Sequence, residues 1–290
     1  MPTLRFYKAV PGGNPTILVL DPVPAAERAG VARTLMDAGH LQAEQVGYLD
    51  LGAAPVRLDM MGGEFCGNAC RAAAAVMARE GVGLRADGGA LRGELSVSGA
   101  GRPVEVRVEP AGGVCWTEMP LPPAGAGCGM TEIEPGMGLV PLPGITHLCL
   151  DEAFHPFPAD FAAAAAGLRA RLGLDAEAVG CIWYRTSPVC AIKPVVWVRS
   201  TASTHYETGC GSGSLALALW LGRRQNFPMS LDVRQPSGHD VAVLIEAGAP
   251  GSPGADCGSG ADCRPGSDSG ALRAWIRGPV ILVARGEAFV

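Results

Sequence analysis

The sequence has 290 residues, a length that predicts two domains or one large one. Hydrophobic residues make up 48% and charged residues 18%, which excludes a disordered chain and allows a substantial core. The net charge of −5 argues against nucleic acid or an anionic membrane as a partner, because both favour basic surfaces. No apolar run reaches the roughly 18 residues of a membrane span, and the N-terminus lacks the apolar block of a secretory signal. We therefore expect a cytoplasmic protein with no nucleic-acid or membrane partner.

Short apolar runs bounded by Gly and Pro alternate with a few helical patterns. In the first half we predict a helix at Glu27–Ala38 and strands at Thr16–Leu20, Val46–Leu51, Val56–Met60, Val104–Val108 and Cys115–Met119. In the second half we predict a helix at Asp160–Leu172 and strands at His147–Leu150, Val179–Trp183, Ala191–Val198, Leu231–Arg234, Val241–Ile245 and Val280–Val283. The Pro- and Gly-rich stretch 120–138 is the expected crossing between domains, and the low-complexity stretch 248–270 is the expected surface insert.

The chain contains 10 cysteines, scattered along its whole length. Disulfide scaffolds are short and cysteine-dense, so most of these residues are expected to be reduced, buried thiols. No Cys-x2-Cys pair occurs, and we therefore expect no metal site. Only two lysines are present, Lys8 and Lys193, and there is no Walker-type phosphate loop, so no cofactor is expected.

Two segments of the sequence are built alike. Gly63-Glu64-Phe65-Cys66-Gly67-Asn68 precedes an Ala-rich helical run, and Glu207-Thr208-Gly209-Cys210-Gly211-Ser212 precedes an apolar one. In each segment an acidic residue, a cysteine, a glycine and a small polar residue open a helix. Repetition about half a chain apart predicts two similar halves that face each other across a pseudo-two-fold axis.

Each segment offers a cysteine at a helix N-terminus, where the macrodipole is expected to lower the thiol pKa. The N–H groups of the first turn have no intrahelical acceptor and can hold a carboxylate. Two such helix ends would place a thiol on either side of one bound amino acid. One cysteine would remove the α-proton as a thiolate base while the other returns a proton to the opposite face as a thiol acid. The helix ends would stabilise the intermediate enediolate without a cofactor.

Other interpretations of these cysteines explain less. A single cysteine before a Gly-rich helix start is most often a packing residue. A thioredoxin-like site needs Cys-x-x-Cys, which is absent. A cysteine hydrolase needs one nucleophile and a histidine, and it would leave the duplication unexplained.

The motifs resemble those of a known family. Cys66-Gly67-Asn68-Ala69-Cys70-Arg71 and Glu207-Thr208-Gly209-Cys210-Gly211-Ser212-Gly213 resemble the two catalytic motifs of the diaminopimelate epimerase superfamily of cofactor-independent racemases. Further similar segments are Gly13-Asn14-Pro15-Thr16, Ala43-Glu44-Gln45-Val46, Gly144-Ile145-Thr146-His147 and Gly278-Pro279-Val280. The resemblance implies an α+β fold of two similar, pseudo-symmetric domains, each a curved, mostly antiparallel sheet wrapped round a central helix. Residues 1–122, completed by the C-terminal strand 278–290, would carry Cys66, and residues 123–277 would carry Cys210.

The resemblance also implies the site residues. Cys66 and Cys210 would be the catalytic pair. The residues expected to contact an amino-acid substrate are Asn14, Glu44, Gln45, Glu64, Gly67, Asn68, His147, Tyr206, Glu207, Gly211 and Ser212. Three of these have alternatives: His147 as an ordinary strand residue, Asn14 as a turn residue, and Glu207 as a first-turn residue that interacts with the helix dipole. Cys70, one turn into its helix, is expected to pack in the core.

The departures from the family pattern bear on the substrate. Diaminopimelate epimerases hold the distal end of their substrate with an Arg and several Asn, including a Glu-Arg pair that residues 198–206 lack. Ile145 stands where the family has Asn, so a second carboxylate would be costly to bury. The pattern is closer to histidine racemases of bacterial opine-metallophore pathways, which predicts a PLP-independent histidine racemase. Glu44 or Glu64 could accept from the imidazole, and Tyr206 could form an aromatic wall. Diaminopimelate epimerisation, or a thiol-based amino-acid-binding or redox role, are the alternatives, and a homodimer is left open.

Overall fold

The described part of the chain is rich in strands and contains four helices. The computed structural model describes residues 3–122, 129–199, 202–223, 228–247 and 272–290. The expected insert at 248–270, and residues 123–128 of the expected domain crossing, lie outside these ranges. The helices are α1 (Ala25–Met36), α2 (Gly67–Glu80), α3 (Phe161–Arg171) and α4 (Gly211–Gly222).

The strands divide between the two halves of the chain, apart from one long strand at the C-terminus. Those of the first half are β1 (Thr3–Pro11), β2 (Thr16–Val19), β3 (Gln45–Asp50), β4 (Val56–Met60), β5 (Leu84–Asp87), β6 (Ala90–Val97), β7 (Val104–Glu109) and β8 (Val114–Met119). Those of the second half are β9 (Thr131–Glu134), β10 (Met137–Leu142), β11 (Ile145–Asp151), β12 (Ala178–Arg185), β13 (Ala191–Val198), β14 (Ser203–Tyr206), β15 (Met229–Arg234) and β16 (Asp240–Ala247). The long C-terminal strand is β17 (Leu272–Phe289).

The first half forms a closed barrel around α2. Strands β1, β2, β3, β4, β6, β7, β8 and β17 each pair with the next, and β17 pairs again with β1. These strands make an eight-stranded ring. Ala and other small residues line most of α2, including Ala69, Ala72 and Ala73, which are completely buried in the core of the ring. Small side chains let the barrel wall approach the helix closely, so α2 is held on every side.

The second half surrounds α4 in the same manner. Strands β10, β11, β12, β13, β15, β16 and β17 pair in that order. The core around α4 contains Leu215, Leu217 and Trp220. From β1 to β8, and again from β10 to β17, the pairings run antiparallel, parallel, antiparallel, parallel, antiparallel and antiparallel. The two halves therefore share one order of strand pairings.

Strand β17 belongs to both halves. Its first residues pair with β16 and β8, and its later residues pair with β1. Ile276 lies in the part of β17 that joins β16 to β8, and it is completely buried. Because this strand passes from one helix-centred core to the other, it fixes the two halves relative to each other.

Helices α1 and α3 cover the outer faces of the sheets. Leu35 of α1 packs in a cluster with Ile17 and Val46 from the barrel wall. Leu168 of α3 packs against a cluster that includes Trp183. Both helices expose most of their surface, unlike α2 and α4, which are almost wholly buried. No helix in the described ranges is both long and apolar enough to cross a membrane.

Each element predicted from the sequence is present, with ends that differ by a few residues except at the C-terminus, where the predicted strand Val280–Val283 is a small part of the 18-residue β17. The structure adds β1, β5, β6, β9, β10 and β14. Strand β9 and the start of β10 lie inside the stretch 120–138 that was expected to form the crossing between domains. Strand pairing with β11 orders β10, although Gly and Pro residues break up its apolar pattern.

Candidate active site

Cys66 and Cys210 cap the two buried helices. Each cysteine is the N-cap residue of its helix and has an extended backbone, with φ, ψ of −134°, 109° at Cys66 and −121°, 103° at Cys210. The Ala69 N–H donates to the Cys66 sulfur at 3.5 Å, and the Gly213 N–H donates to the Cys210 sulfur at 3.3 Å. Both thiols therefore sit where a helix N-terminus directs N–H groups at a sulfur atom, as the repeated motif predicts.

The two helix starts meet at one point of the fold. A Cβ atom added to Gly67 would lie 2.8 Å from Cδ1 of Ile276, and one added to Gly211 would lie 2.7 Å from the same atom. The Asn68 side-chain amide donates to the Gly209 carbonyl at 2.9 Å. Glycine at these positions lets both helices approach β17, so cysteine loops from opposite halves of the chain adjoin each other.

Around Cys66 a chain of hydrogen bonds connects the two halves. The thiol donates to Gln45 Oε1 at 3.0 Å, and the Gln45 amide donates to Asn14 Oδ1 at 2.5 Å. Asn14 in turn donates to Glu44 Oε2 at 2.5 Å. The Thr208 hydroxyl, from the second cysteine loop, donates to Glu44 Oε1. The structure thus brings Asn14, Glu44 and Gln45 together beside Cys66, in contact with the loop that carries Cys210.

Cys210 has different neighbours. The Glu207 carboxylate is close enough to raise the pKa of its thiol, and its sulfur lies 3.6 Å from Ser212 Oγ. Its backbone N–H donates to Gln235 Oε1 at 2.8 Å, and Gln235 donates to Ser214 Oγ at 3.0 Å. An ionisable carboxylate is therefore the partner of this thiol, whereas the partner of Cys66 is a neutral amide.

The expectation that the helix ends lower the thiol pKa values is wrong for this form of the protein. Burial raises the pKa of Cys66 to about 11, and the charges of Glu64 and Glu207 add to the rise. Burial and the Glu207 charge raise the pKa of Cys210 well above its usual range. The N–H donors of the first turns lower both values, but removal of water outweighs them. Both thiols consequently hold their protons at neutral pH.

Glu207 is the group best placed to accept a proton. Burial raises its pKa to about 7, and the charge of Glu44 contributes in the same direction. A carboxylate that titrates near neutrality can take up the Cys210 proton, but the transfer is uphill in this form because the thiol pKa lies well above that of Glu207.

His147 lies on β11 and is completely buried. A Cβ on Gly180, its partner on β12, would lie 2.2 Å from Nδ1, so the ring fills the space that this glycine leaves. Burial lowers the pKa of His147 to about 3, which keeps the imidazole neutral. Neither ring nitrogen has a hydrogen-bond partner among the described residues. Its neighbour two residues on, Cys149, packs in the core around α4. The role of His147 in binding substrate stays a prediction.

The other predicted residues lie in the first turns of the two helices, at the edge of the Cys66 loop, or, for Tyr206, on β14. Gly67, Asn68, Gly211 and Ser212 form the first turns of α2 and α4, where N–H groups lack intrahelical acceptors. Glu64 is exposed at the edge of the Cys66 loop, and its carbonyl accepts from Ser98.

Tyr206 lies away from these contacts. Its ring packs against Phe157 and Phe161 at centroid distances of 5.9 and 5.5 Å, and Phe157 also contacts Trp183. These rings belong to the side of the sheet that α3 covers. Among the described residues, the ring contacts of Tyr206 join it to this cluster and do not support an aromatic wall beside the thiols.

Sequence reasoning missed Thr208, Gln235 and Arg71. Arg71 follows Asn68 by three residues on α2, and this spacing places the two side chains on one helix face. Thr208 stands inside the second repeated segment, but the motif predicts no role for it, and nothing in the local sequence marks Gln235, because the partners of both residues lie far along the chain. The described residues contain no cluster of three or more His, Cys, Asp or Glu that could hold a metal ion.

Comparisons with known proteins bear on this arrangement. Residues 3–249 match the family described as histidine racemase CntK N-terminal domain. A histidine racemase of Fusobacterium nucleatum is 28% identical over 296 residues, which covers 99% of this chain and 97% of that protein. A histidine racemase of Staphylococcus aureus is 43% identical over 70 residues, 23% of this chain and 26% of that protein.

Solved structures share the fold. A phenazine biosynthesis protein of the PhzF family from Bacillus anthracis matches with a TM-score of 0.63 and 13% identity over 100% of both chains. A hydroxyproline epimerase from Agrobacterium vitis, with trans-4-hydroxy-L-proline bound, matches with a TM-score of 0.63 and 11% identity, over 99% of this chain and 92% of that one. The sequence match to the family spans most of the chain, and the chain therefore belongs to the histidine racemase CntK N-terminal domain family.

Proposed function

We propose that this chain is a PLP-independent isomerase that racemises histidine by proton transfer between Cys66 and Cys210. The observation that carries the proposal is the meeting of two cysteine-capped helix starts at Ile276, with Asn68 bonded to Gly209 between them. Membership of the histidine racemase family and the coverage of the Fusobacterium nucleatum relative support the reaction class and the amino acid.

The chemistry follows from the two helix starts. The substrate carboxylate binds the N–H groups of the first turns of α2 and α4. One cysteine, as thiolate, takes the α-proton, and the electron pair of the Cα–H bond moves into the carboxylate to give an enediolate. The other cysteine, as thiol, donates its proton to the opposite face of Cα, so the configuration inverts and the two cysteines exchange protonation states. The helix N-termini stabilise the negative charge that develops on the enediolate.

We infer that Glu207 accepts the Cys210 proton when the thiolate forms. The Glu207 carboxylate acts on the Cys210 thiol and has a pKa of about 7, so it is largely ionised above neutral pH; the transfer is uphill before substrate binds, because the thiol pKa is higher. Cys66 has Gln45 as its partner, and an amide cannot take up the proton. Cys66 therefore becomes a thiolate when it delivers its proton to the enediolate.

Charge at the cleft favours a side chain without a second carboxylate. Glu44, Glu64 and Glu207 all act near the thiols, through hydrogen bonds or through their effect on the thiol pKa values. An imidazole can donate to a carboxylate such as Glu44, whereas the distal carboxylate of diaminopimelate would be repelled. This distribution of charge supports histidine over diaminopimelate.

The division of the chain into two domains is also a proposal. We infer two similar domains, residues 1–122 with 278–290 and residues 123–277, each wrapped round its own helix. The shared order of strand pairings and the passage of β17 from one half to the other support this division. A cytoplasmic location is also proposed, which fits the free thiols of the described cysteines. A place in an opine-metallophore pathway is proposed from the resemblance, and a homodimer is left open.

Chiral chromatography of the purified protein tests the proposed function. L-histidine and D-histidine should each be converted to a mixture of both without any added cofactor, and LL-diaminopimelate should not react. Cys66→Ser and Cys210→Ser should each lower the racemisation rate by about 10²- to 10⁴-fold. Cys181→Ala is the matched control, because Cys181 packs in the cluster that α3 covers and not in the cores around α2 and α4, and it should keep the original rate. Full activity in both catalytic-cysteine variants would refute the mechanism.

A further inference from the structure

Arg71 is a buried cation behind the Cys66 helix start. It lies on the second turn of α2 and is completely buried. The guanidinium occupies a slot between two glycines from distant parts of the chain. A Cβ on Gly12 would lie 3.2 Å from Nη2, and one on Gly278 would lie 2.9 Å from Nη1. Three separate segments of the chain thus make room for this one side chain.

The charge of Arg71 has no carboxylate partner in the described ranges. Its Nε and Nη1 atoms make no hydrogen bond there, although both are buried. Burial lowers its pKa to about 10, so it remains charged at neutral pH. The thiolate forms of Cys115, Cys66 and Cys70 would compensate the charge of Arg71. A buried, uncompensated cation is costly, and its retention calls for an anion that forms during function.

Within the described ranges, the one hydrogen bond of Arg71 leads to the second cysteine loop. Nη2 donates to Asn68 Oδ1 at 2.8 Å, and the Asn68 amide nitrogen donates to the Gly209 carbonyl at 2.9 Å. Arg71 has only donors, so this bond fixes which end of the Asn68 amide faces the Gly209 carbonyl. Arg71 is thereby connected to both cysteine loops.

We propose that Arg71 is a positioning residue that orients Asn68 between the two cysteine loops and whose fixed positive charge favours the anionic states of the cleft, first among them the Cys66 thiolate. The inference deepens the proposed racemase, since the Cys66 thiolate is one of the two bases of that reaction. Arg71 touches no reacting atom: it acts through Asn68 and through its electric field.

Alkylation of Cys66 tests the proposal without substrate. In a Cys210→Ser background, the rate of iodoacetamide attachment at Cys66 is measured by peptide mass spectrometry across pH and gives the thiol pKa. Arg71→Met should raise that pKa by about one unit and slow alkylation at pH 8 by about tenfold. Arg71→Lys, which keeps the charge, should leave the pKa near that of the parent.

Asn68→Ala is the matched control, because it breaks the hydrogen bond to Arg71 and keeps the charge. It should lower the melting temperature and leave the Cys66 pKa unchanged. An Arg71→Met protein with the parental alkylation profile would overturn the proposal. If Arg71→Met does not fold, Arg71→Lys and Asn68→Ala still test the proposal, because both keep the positive charge. A rise of one unit in the Cys66 pKa of both variants would show that the charge of Arg71 does not set that pKa. These rates need no turnover, so they stand even if the chain fails to racemise histidine.

Discussion

The two cysteine loops have the same backbone and different chemistry. Cys66 and Cys210 both cap a buried helix, and both accept an N–H three residues on. Gln45 accepts from the Cys66 thiol, whereas the Glu207 carboxylate raises the pKa of the Cys210 thiol. The repeated helix starts would hold the substrate carboxylate. The group beside each thiol differs, and this difference predicts that loss of the Glu207 carboxylate slows racemisation more than a change at Gln45.

The largest effect is expected when the Glu207 carboxylate is removed. Glu207→Gln keeps the size of the side chain and abolishes the acceptor for the Cys210 proton. We expect a loss of about 10²-fold in kcat/KM, measured by chiral chromatography at low conversion. The loss should be the same from either pure enantiomer, because the equilibrium constant of a racemisation is unity and fixes the ratio of the two kcat/KM values. The matched change at the other loop, Gln45→Glu, supplies an acceptor for Cys66 and should lower kcat/KM much less. Equal losses in both variants would contradict the assigned asymmetry.

The pH profile sharpens the same comparison. Because burial raises the pKa of Glu207 to about 7, this carboxyl is protonated below neutrality and cannot accept from Cys210. From either enantiomer kcat/KM should rise as pH increases toward about 7, by close to tenfold per pH unit on the acid side. Glu207→Gln should remove this limb of the profile. A wild-type profile that is flat from pH 6 to 8 would show that Glu207 is not the acceptor of the Cys210 proton.

A smaller effect is expected when the two loops lose their direct bond. Asn68→Ala removes the donor to the Gly209 carbonyl and the acceptor of Arg71. Leaving those buried groups without partners should cost about 1–3 kcal/mol of unfolding free energy, measured in urea. Because Asn68 connects both loops, racemisation should also slow, by a smaller factor than in Glu207→Gln. Parental stability and rate in Asn68→Ala would show that the bond between the loops is not needed.

Crowding of the helix starts should give the mildest change. Gly67→Ala and Gly211→Ala each place a methyl group within 3 Å of Ile276 Cδ1, so each should cost about 1–3 kcal/mol of stability. Ile276→Val in combination should restore part of the loss, because the valine lacks that atom. Gly167→Ala on exposed α3 is the control, since nothing lies within 4 Å of the added atom, and it should be neutral or slightly stabilising. If Ile276→Val changed the stability by the same amount with and without the alanine substitutions, the two helix starts would not contact Ile276.

Local sequence predicted much of this site and little of its electrostatics. The Ala-rich and Leu-rich runs after Cys66 and Cys210 predict helices whose starts fall where the structure has them. The bond from Thr208 to Glu44 depends on residues far apart along the chain, which no local pattern reports.

The thiol pKa values show most clearly what the sequence alone does not predict. A helix N-terminus is visible in the sequence, but the loss of water around a sulfur atom depends on the packing of both halves. The same holds for Tyr206, whose ring packs on Phe157 and Phe161 from elements that the sequence does not associate with it. Strand β1 was missed because nothing in residues 3–11 marks them as paired with a strand at the opposite end of the chain.

Isotope incorporation tests the central claim most directly. In heavy water, with pure L-histidine at low conversion, proton removal by one thiol and delivery by another should give D-histidine that carries deuterium at Cα, while the remaining L-histidine stays unlabelled. The mirror experiment from D-histidine should give the mirror result. Deuterium appearing equally in recovered substrate and product from the earliest times, or product that keeps its original hydrogen, would mean that one base serves both faces, and the two-thiol account would be wrong.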